Sequence, residues 1–343
     1  MFKEFTQQLS ALLEKEQRCV ILPHKNPDGD ALGSTLALYH FLNKKGHECS
    51  LISPNEYPSF LAWLPGAKNI ICFSKEEKKS ITLIEAATVI FTLDFNALGR
   101  IAPMDEYIKA STATKVMIDH HEAPQDYAAL MYSNPELGST CEMVCNVLYT
   151  WDKSLLDQNM ATCLYTGIMT DSGSFRFPST TATTHKIVAH LLELGVNHAQ
   201  VHQNIYDSYR FERLQLLGIT LNNLKRIDNL NAVYTTLSQE ELDRCDFRKG
   251  DTEGFVNYGL SLDGIKLAVI LIENKQEGII KMSFRSKGDF DVNQFAREHF
   301  NGGGHINAAG GASHVSLEKT RIKLEQAIRE NSSTLAWRKH MHF

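Results

Sequence analysis

The chain has 343 residues, 43% of them hydrophobic, and a net charge of −5. That length allows two ordinary domains with a real apolar core, and the acidic balance argues against the broad basic field that long nucleic acids require. Seven cysteines, an odd number with no C-x-x-C pair, argue against a disulfide framework and a zinc finger and for a reducing compartment. Met1 to Arg18 carries Lys3, Glu4, Glu14, Lys15 and Glu16 and lacks an apolar secretion core. No apolar run is long enough to span a bilayer. The protein therefore reads as cytoplasmic, with no membrane partner.

Phe5, Leu9, Leu12 and Leu13 fall at helical spacing and predict an opening amphipathic helix. Cys19 to Leu22 is an apolar run that reads as a buried strand. It delivers His24-Lys25-Asn26-Pro27-Asp28-Gly29-Asp30, and a helical pattern follows from Ala31 to Leu42. Pro27 and Gly29 punctuate the turn, and Gly29 suits a backbone shape that a Cβ resists. Glu48 to Ile52 reads as a second strand, and Pro54, Pro58 and Pro65 then break the chain. Thr88 to Leu93 is a strand ending in Asp94, and Lys115 to Ile118 is another ending in Asp119-His120-His121. Alternating strands and helices imply parallel βαβ units, in which ligands bind beyond the carboxyl ends of the strands. His24, Asp94 and His120 all sit at such ends.

Ser139 to Trp151, Asn159 to Met169, Thr183 to Leu194 and Phe211 to Leu224 read as helices; the second runs into Thr170-Asp171-Ser172-Gly173. The domain connection is expected near Lys225 to Asn229, closing a first domain at about residue 225 and opening a second at about 230. In that second part, Ala232 to Leu237 is strand-like, and Lys266 to Ile272 pairs with Ile279 to Arg285 through Gln276-Glu277-Gly278. Phe290 to Phe300 and Ser316 to Glu330 read as helices around Asn301-Gly302-Gly303-Gly304-His305. The tail after Asn331 is polar and reads as loosely held.

An Asp before a helix is most simply an N-cap, and Asp-Gly a turn. The balance changes because His24, Asp28, Asp30, Asp94, His120 and Asp171 all lie at strand or helix ends. Close carboxylates repel, and a divalent cation is the simplest reason for them to converge. Carboxylate and imidazole donors without thiolate suit Mn²⁺, Mg²⁺ or a similar ion. These residues exceed what one ion needs, so two ions are expected, with Asp94 as the bridge because its strand lies between the flanking ligand-bearing strands. Two cations about 3.5–4 Å apart acidify water and clamp a phosphate, so water is the expected nucleophile. His121 is expected to contact phosphate or protonate the leaving oxygen. Asp119 is expected to hold an imidazole by its other ring nitrogen.

The three glycines before His305 are a flexible turn in the bland reading, or a nest of backbone N–H groups that grips an anion. Arg285 suits a bidentate phosphate contact, or is simply a solvated strand-end residue. No Walker A or G-x-S-x-G motif occurs, and Ser34 and Ser174 lack an obvious His partner.

At these residues the chain resembles the DHH phosphoesterase superfamily. His24-Lys25-Asn26-Pro27-Asp28-Gly29-Asp30-Ala31-Leu32-Gly33-Ser34 matches its first motif, Asp94 its second, Asp119-His120-His121 its third and Asp171 its fourth. Gly302-Gly303-Gly304-His305 matches the glycine-rich motif of the DHH-associated C-terminal domain. The closest subgroup is the stand-alone nanoRNase and pAp-phosphatase type. The resemblance implies an α/β fold: a parallel-sheet catalytic domain, a smaller α/β substrate-binding domain, and a cleft between them. It implies hydrolysis of very short oligoribonucleotides and of 3′-phosphoadenosine 5′-phosphate (pAp), with two Mn²⁺ ions (Mg²⁺ or Co²⁺ as alternatives). Arg285, Gly303, Gly304 and His305 would grip the substrate, and a homodimer is allowed. The alternatives are a phosphodiesterase for linear or cyclic dinucleotides and, from another class, a nucleotide-sensing protein without turnover.

Overall fold

Short apolar runs bounded by polar turns build the first sheet. β1 (Arg18–Leu22), β2 (Glu48–Ser53), β3 (Ile71–Cys72), β4 (Val89–Leu93), β5 (Thr114–Asp119) and β6 (Leu130–Ser133) pair in the order β3-β2-β1-β4-β5-β6. Every pairing is parallel. Helix α1 (Phe2–Leu12) precedes the strands, α2 (Gly29–Lys44), α3 (Glu77–Ala86) and α4 (Asp105–Ala110) lie between them, and α5 (Thr140–Asp152), α6 (Gln158–Asp171), α7 (Ala182–Glu193) and α8 (His198–Tyr206) follow. A parallel sheet must be covered on both faces. Cys19 and Ile21 of β1, with Phe91 of β4, pack into the core shared with α1, α2, α5 and α6. Val20, Leu22 and Ile90 face the opposite core, with Ile84 of α3 and Ile108 of α4. The strand order reverses between β1 and β4, the kind of switch point where α/β sheets bind ligands.

The computed structural model describes residues 2–331 and 335, so the tail read as loosely held lies, Leu335 apart, outside the described residues. Contacts divide the chain into Met1–Ser208 and Tyr209–Phe343. Helix α9 (Phe211–Asn222), expected at the end of the first domain, groups with the second unit because Leu216 is buried among Val233, Phe255 and Ile270. The rest of this unit comprises β7 (Lys225–Arg226), β8 (Ala232–Leu237), α10 (Gln239–Arg244), α11 (Phe255–Leu260), β9 (Leu267–Asn274) and β10 (Ile279–Ser286), then α12 (Val292–Phe300), β11 (Gly303–His305), β12 (Ala308–Ser313) and α13 (Leu317–Glu330). Its mixed sheet runs β11-β12-β10-β9-β8-β7, with only β8 and β9 parallel. No described helix is long and apolar enough to cross a membrane.

Helix α2 begins at Gly29, two residues before the sequence pattern suggests, with Asp28 as its N-cap. Gly29 is therefore helical, and the left-handed residue of this loop is Asn26, with φ 59°. What Gly29 provides is closeness: a Cβ there would overlap the Thr170 side chain of α6. Gly33 repeats the device one turn on, where a Cβ would come 2.5 Å from the Cys163 carbonyl oxygen. The missing side chains let α2 and α6 approach until their ends share one site.

Gly33→Ala should destabilise the protein by about 1–3 kcal/mol in denaturant unfolding, although alanine favours a helix over glycine by about 1 kcal/mol. Gly218→Ala, on α9 where a Cβ meets open space, should stabilise by about 0.5–1 kcal/mol. Equal signs for the two substitutions would refute the packing role of Gly33.

Candidate metal centre

Three adjacent strands deliver the first residues. His24 follows β1, Asp94 follows β4, and Asp119-His120-His121 closes and follows β5. Because β4 lies between β1 and β5, Asp94 stands between the two imidazoles. Its Oδ2 is 3.4 Å from His24 Nε2 and its Oδ1 is 3.5 Å from His120 Nε2. Asp94 holds a left-handed backbone, φ 65°, unusual for a residue with a Cβ. Strain of this kind persists where the surroundings impose it. Here the Asp94 N–H donates to the Ile118 carbonyl, extending the β4–β5 ladder by one residue.

Two helices complete the cluster. Asp28 caps α2 through Oδ1, which accepts from the N–H groups of Asp30 and Ala31. Its Oδ2 faces His24 Nε2 at 3.8 Å. The N-cap reading and the ligand reading are thus both satisfied, one by each oxygen. Asp30 lies buried in the first turn of α2, and Asp171 is the last residue of α6. Their Oδ2 atoms lie 3.8 and 3.4 Å from His120 Nε2. Two donor groups result, His24-Asp28-Asp94 and Asp30-His120-Asp171, each compact enough to surround one ion.

The ring orientations bear directly on whether a cation fits. His24 Nδ1 lies 2.9 Å from the Lys25 carbonyl, and His120 Nδ1 lies 3.1 Å from the Leu137 carbonyl. A carbonyl only accepts, so each Nδ1 carries hydrogen. In the neutral rings the lone pair at Nε2 then points at carboxylate oxygens, an arrangement that repels unless positive charge lies between. The residues present fit divalent ions on this ground. Without an ion, protons supply the charge. Burial lowers the His24 imidazole, but Asp28 and Asp94 outweigh it and raise it to about 10. Burial works the same way on His120 and is overcome by Asp94 and Asp171, which hold its pKa well above normal. Burial, with the charges of Asp94 and Asp171, keeps the Asp30 carboxyl well above the usual range. Asp171 is raised to about 6, chiefly by burial. Asp94 goes the other way: burial is outweighed by the imidazoles of His120 and His24, and its carboxyl stays well below normal.

Asp119 is fully buried and serves His121 rather than its other neighbour. Its Oδ1 lies 2.7 Å from His121 Nδ1, and its Oδ2 accepts the His121 backbone N–H. Residues that the sequence reading passed over hold the carboxylates still. The N-terminus of α5 grips Asp30: Thr140 N–H donates to Oδ2 at 2.6 Å and Cys141 N–H to Oδ1 at 2.8 Å. Thr140 Oγ1 also donates to Asp94 Oδ1 at 2.9 Å. The run Ser139-Thr140-Cys141-Glu142 carries a helix-start signal, and Ser139 does cap α5. That Asp30, far away in sequence, docks on this helix end is a tertiary fact.

In the second unit, Gly303 to His305 form the edge strand β11 rather than a nest. The Gly304 N–H donates to Asn293 Oδ1 at 3.0 Å, and a Cβ at Gly302 would overlap the Gly310 carbonyl of β12. The glycines permit close strand pairing. Arg285 of β10 is in register with Ala308 of β12, which is in register with His305 of β11, so Arg285 and His305 occupy one row across the sheet. The Arg285 Nη1 donates to the Phe284 carbonyl.

Because a cation must displace protons from His24 and His120, binding should strengthen as pH rises. Between about pH 6 and about pH 8 the Mn²⁺ affinity should grow roughly tenfold per unit for each proton released. Calorimetry in buffers of different ionisation enthalpy checks this, and a pH-independent, buffer-independent affinity would contradict it. Thr140→Val, which removes the donor to Asp94, should weaken Mn²⁺ binding by about 10–100-fold, while Thr140→Ser stays near the parent.

Comparison with known proteins gives the family. The DHH family, N-terminal domain, matches residues 18–168, and the DHHA1 domain matches residues 229–330. The bifunctional oligoribonuclease and PAP phosphatase NrnA of Thermus thermophilus is 28% identical over 325 residues, covering 90% of this chain and 89% of that protein. Its Bacillus subtilis namesake is 27% identical over 302 residues, covering 87% and 90%. Among solved structures, an exopolyphosphatase-related protein from Bacteroides fragilis is 38% identical with a TM-score of 0.92, over 97% of both chains. The chain belongs to the DHH family, with a DHHA1 domain in its second unit.

Proposed function

We propose that this chain is a metal-dependent phosphoesterase that hydrolyses short oligoribonucleotides to mononucleotides and pAp to AMP. The observation that carries the reading is the pair of donor groups that meet at Asp94. The oligoribonuclease and PAP phosphatase named among the relatives support the substrate class. In this proposal His24, Asp28 and Asp94 would hold one ion and Asp30, Asp94, His120 and Asp171 the other. Mixed oxygen and imidazole donors make Mn²⁺ the first choice. Such ions, when bound, acidify water and draw off the charge that gathers on phosphoryl oxygens.

The chain's own residues do the rest. Asp94 presents one oxygen to each group, and Thr140 and the α5 N-terminus fix Asp94 and Asp30 so that neither swings away. Asp119 fixes the hydrogen of His121 at Nδ1. That leaves Nε2 as the ring atom from which a proton can pass to the leaving oxygen. Arg285 and His305, in one row of the second sheet, supply phosphate contacts, with Gly303 and Gly304 keeping that edge low enough for a ligand to approach. The first unit is then the catalytic domain and the second the substrate-binding domain. Seven unpaired cysteines support a reducing, cytoplasmic setting.

Purified protein with Mn²⁺ should release mononucleotides from dinucleotide RNA and AMP from pAp, and EDTA should abolish both activities. Cyclic-di-AMP and pyrophosphate serve as contrasts. Tight nucleotide binding without product from any substrate would instead identify a sensor. Asp94→Ala should reduce kcat to background because both proposed ion sites lose the shared carboxylate, whereas His305→Ala should leave measurable turnover. Near-normal turnover by Asp94→Ala would refute the bridging role.

A further inference from the structure

The chain does something costly directly after Asp171. Gly173, Ser174 and Phe175 take φ values of 57°, 58° and 64°, the one run of three consecutive left-handed residues among the described residues. Only glycine adopts that conformation freely. Buried Ser172 organises the turn. Its Oγ accepts from the Phe175 N–H at 3.0 Å and donates to the Met169 carbonyl at 3.2 Å. Its carbonyl accepts from the N–H groups of Arg176 and Phe177 at 3.0 and 3.1 Å, and the Ser174 N–H returns to Met169 at 2.8 Å. Arg176 Nε closes the loop on the Gly173 carbonyl at 2.7 Å.

This turn carries two aromatic rings, one packed and one exposed. Phe175 goes inward, against Tyr165 and His185. Phe177 is laid over Gly173, so close that a Cβ on the glycine would lie 2.6 Å from its ring, yet 40% of the residue stays exposed. A left-handed turn held by this many hydrogen bonds is not needed to leave a phenylalanine in water. The Phe177 N–H is bonded to Ser172, the next residue after Asp171, whose Oδ2 is 3.4 Å from His120 Nε2. The ring, laid over Gly173, is therefore held two residues past Asp171, at the end of α6 that carries this carboxylate.

We propose that Phe177 is a substrate-binding residue that stacks the base of the nucleotide whose phosphate occupies the adjacent centre. This rests on the phosphoesterase reading above. The ligand class follows from the pairing of a flat apolar face with a site built for phosphate. Every base has such a face, so the contact confers affinity for nucleotides with little sequence preference, purines gaining most through their larger area. Gly173 belongs to the same device, because only a residue without Cβ lets the ring lie this low.

Holoenzyme with Mn²⁺ is assayed on pAp, on a dinucleotide RNA, and on methyl ribofuranoside 3,5-bisphosphate, which is pAp without its base. Phe177→Ala should lower kcat/KM on the two base-bearing substrates by on the order of ten- to a hundredfold, mostly through KM. Phe177→Tyr should restore it, and the abasic compound should be cleaved equally by all three proteins. A similar loss on the abasic compound, or no loss on pAp, would overturn the proposal. Binding separates this inference from the assigned activity. By calorimetry, AMP should bind the parent more tightly than Phe177→Ala by the same factor, whereas ribose 5-phosphate should not distinguish them. If the parent cleaves nothing, the phosphoesterase reading fails while AMP binding still tests the ring. Absent or equal AMP binding would refute stacking. Thermal melting of each variant identifies any loss due to unfolding, and Phe177→Leu, which keeps apolar cover without an aromatic face, should behave like Phe177→Ala toward AMP.

Discussion

Asp28, Asp30, Asp94 and Asp171 crowd around two imidazoles because β1, β4 and β5 are adjacent and parallel and because α2 and α6 end at the same place. Negative charge packed this closely, and largely out of water, is expensive unless positive charge is interleaved. Among the described residues, the ion pairs of these carboxylates are with imidazoles. The polypeptide offers two imidazoles, each turned so that Nε2 faces oxygen while Nδ1 is tied to a carbonyl. Protons can fill the need at a cost in pKa, which is why His24 rises to about 10 and Asp171 to about 6. Divalent ions fill it with more charge at the same points.

The scaffold is arranged to keep that tension from relaxing. Glycines at positions 29 and 33 draw α2 onto α6, and a Cβ at Gly167 would overlap the Cys141 sulfur and crowd Asp30. Asp30 has backbone N–H donors on both oxygens, Asp94 has the Thr140 hydroxyl, and Asp119 pins His121. These groups position charge; they do not neutralise it. Rigid placement of donors before a ligand arrives is the general requirement for electrostatic catalysis. The same tactic extends past Asp171, where a left-handed turn spends conformational energy to hold an aromatic ring in the open.

The second unit shows how one sequence feature can serve by a different geometry from the one it suggests. Three glycines before a histidine read as an anion nest or a loose turn. Gly303 and Gly304 instead open an edge strand, with β12 so near that a Cβ at Gly302 or Gly304 would overlap its backbone. β12 itself, Ala308–Ser313, has no branched or aromatic residue that would mark it as a strand. Pairing with β10 on one side and β11 on the other makes it one. The row that carries Arg285 and His305 exists only because of that invisible strand.

The sequence by itself determined the parallel α/β character of the first unit and the residues from which its centre is built. Buried strands announce themselves as apolar runs, and His24, Asp94 and His120 stand where such runs stop. It also carried the helix-start signals at Asp28 and Ser139. Only the tertiary structure decided which oxygen of Asp28 caps the helix and which faces His24, that Asp119 serves His121, and that Thr140 and Cys141 hold Asp30. It also decided that α9 belongs with the second unit and that Gly29 is helical. The reason is one of range. Periodicity and capping are local properties, written in neighbouring residues, whereas a hydrogen bond between Asp30 and Thr140 depends on strand order and on how closely two helices pack, which no stretch of either segment records.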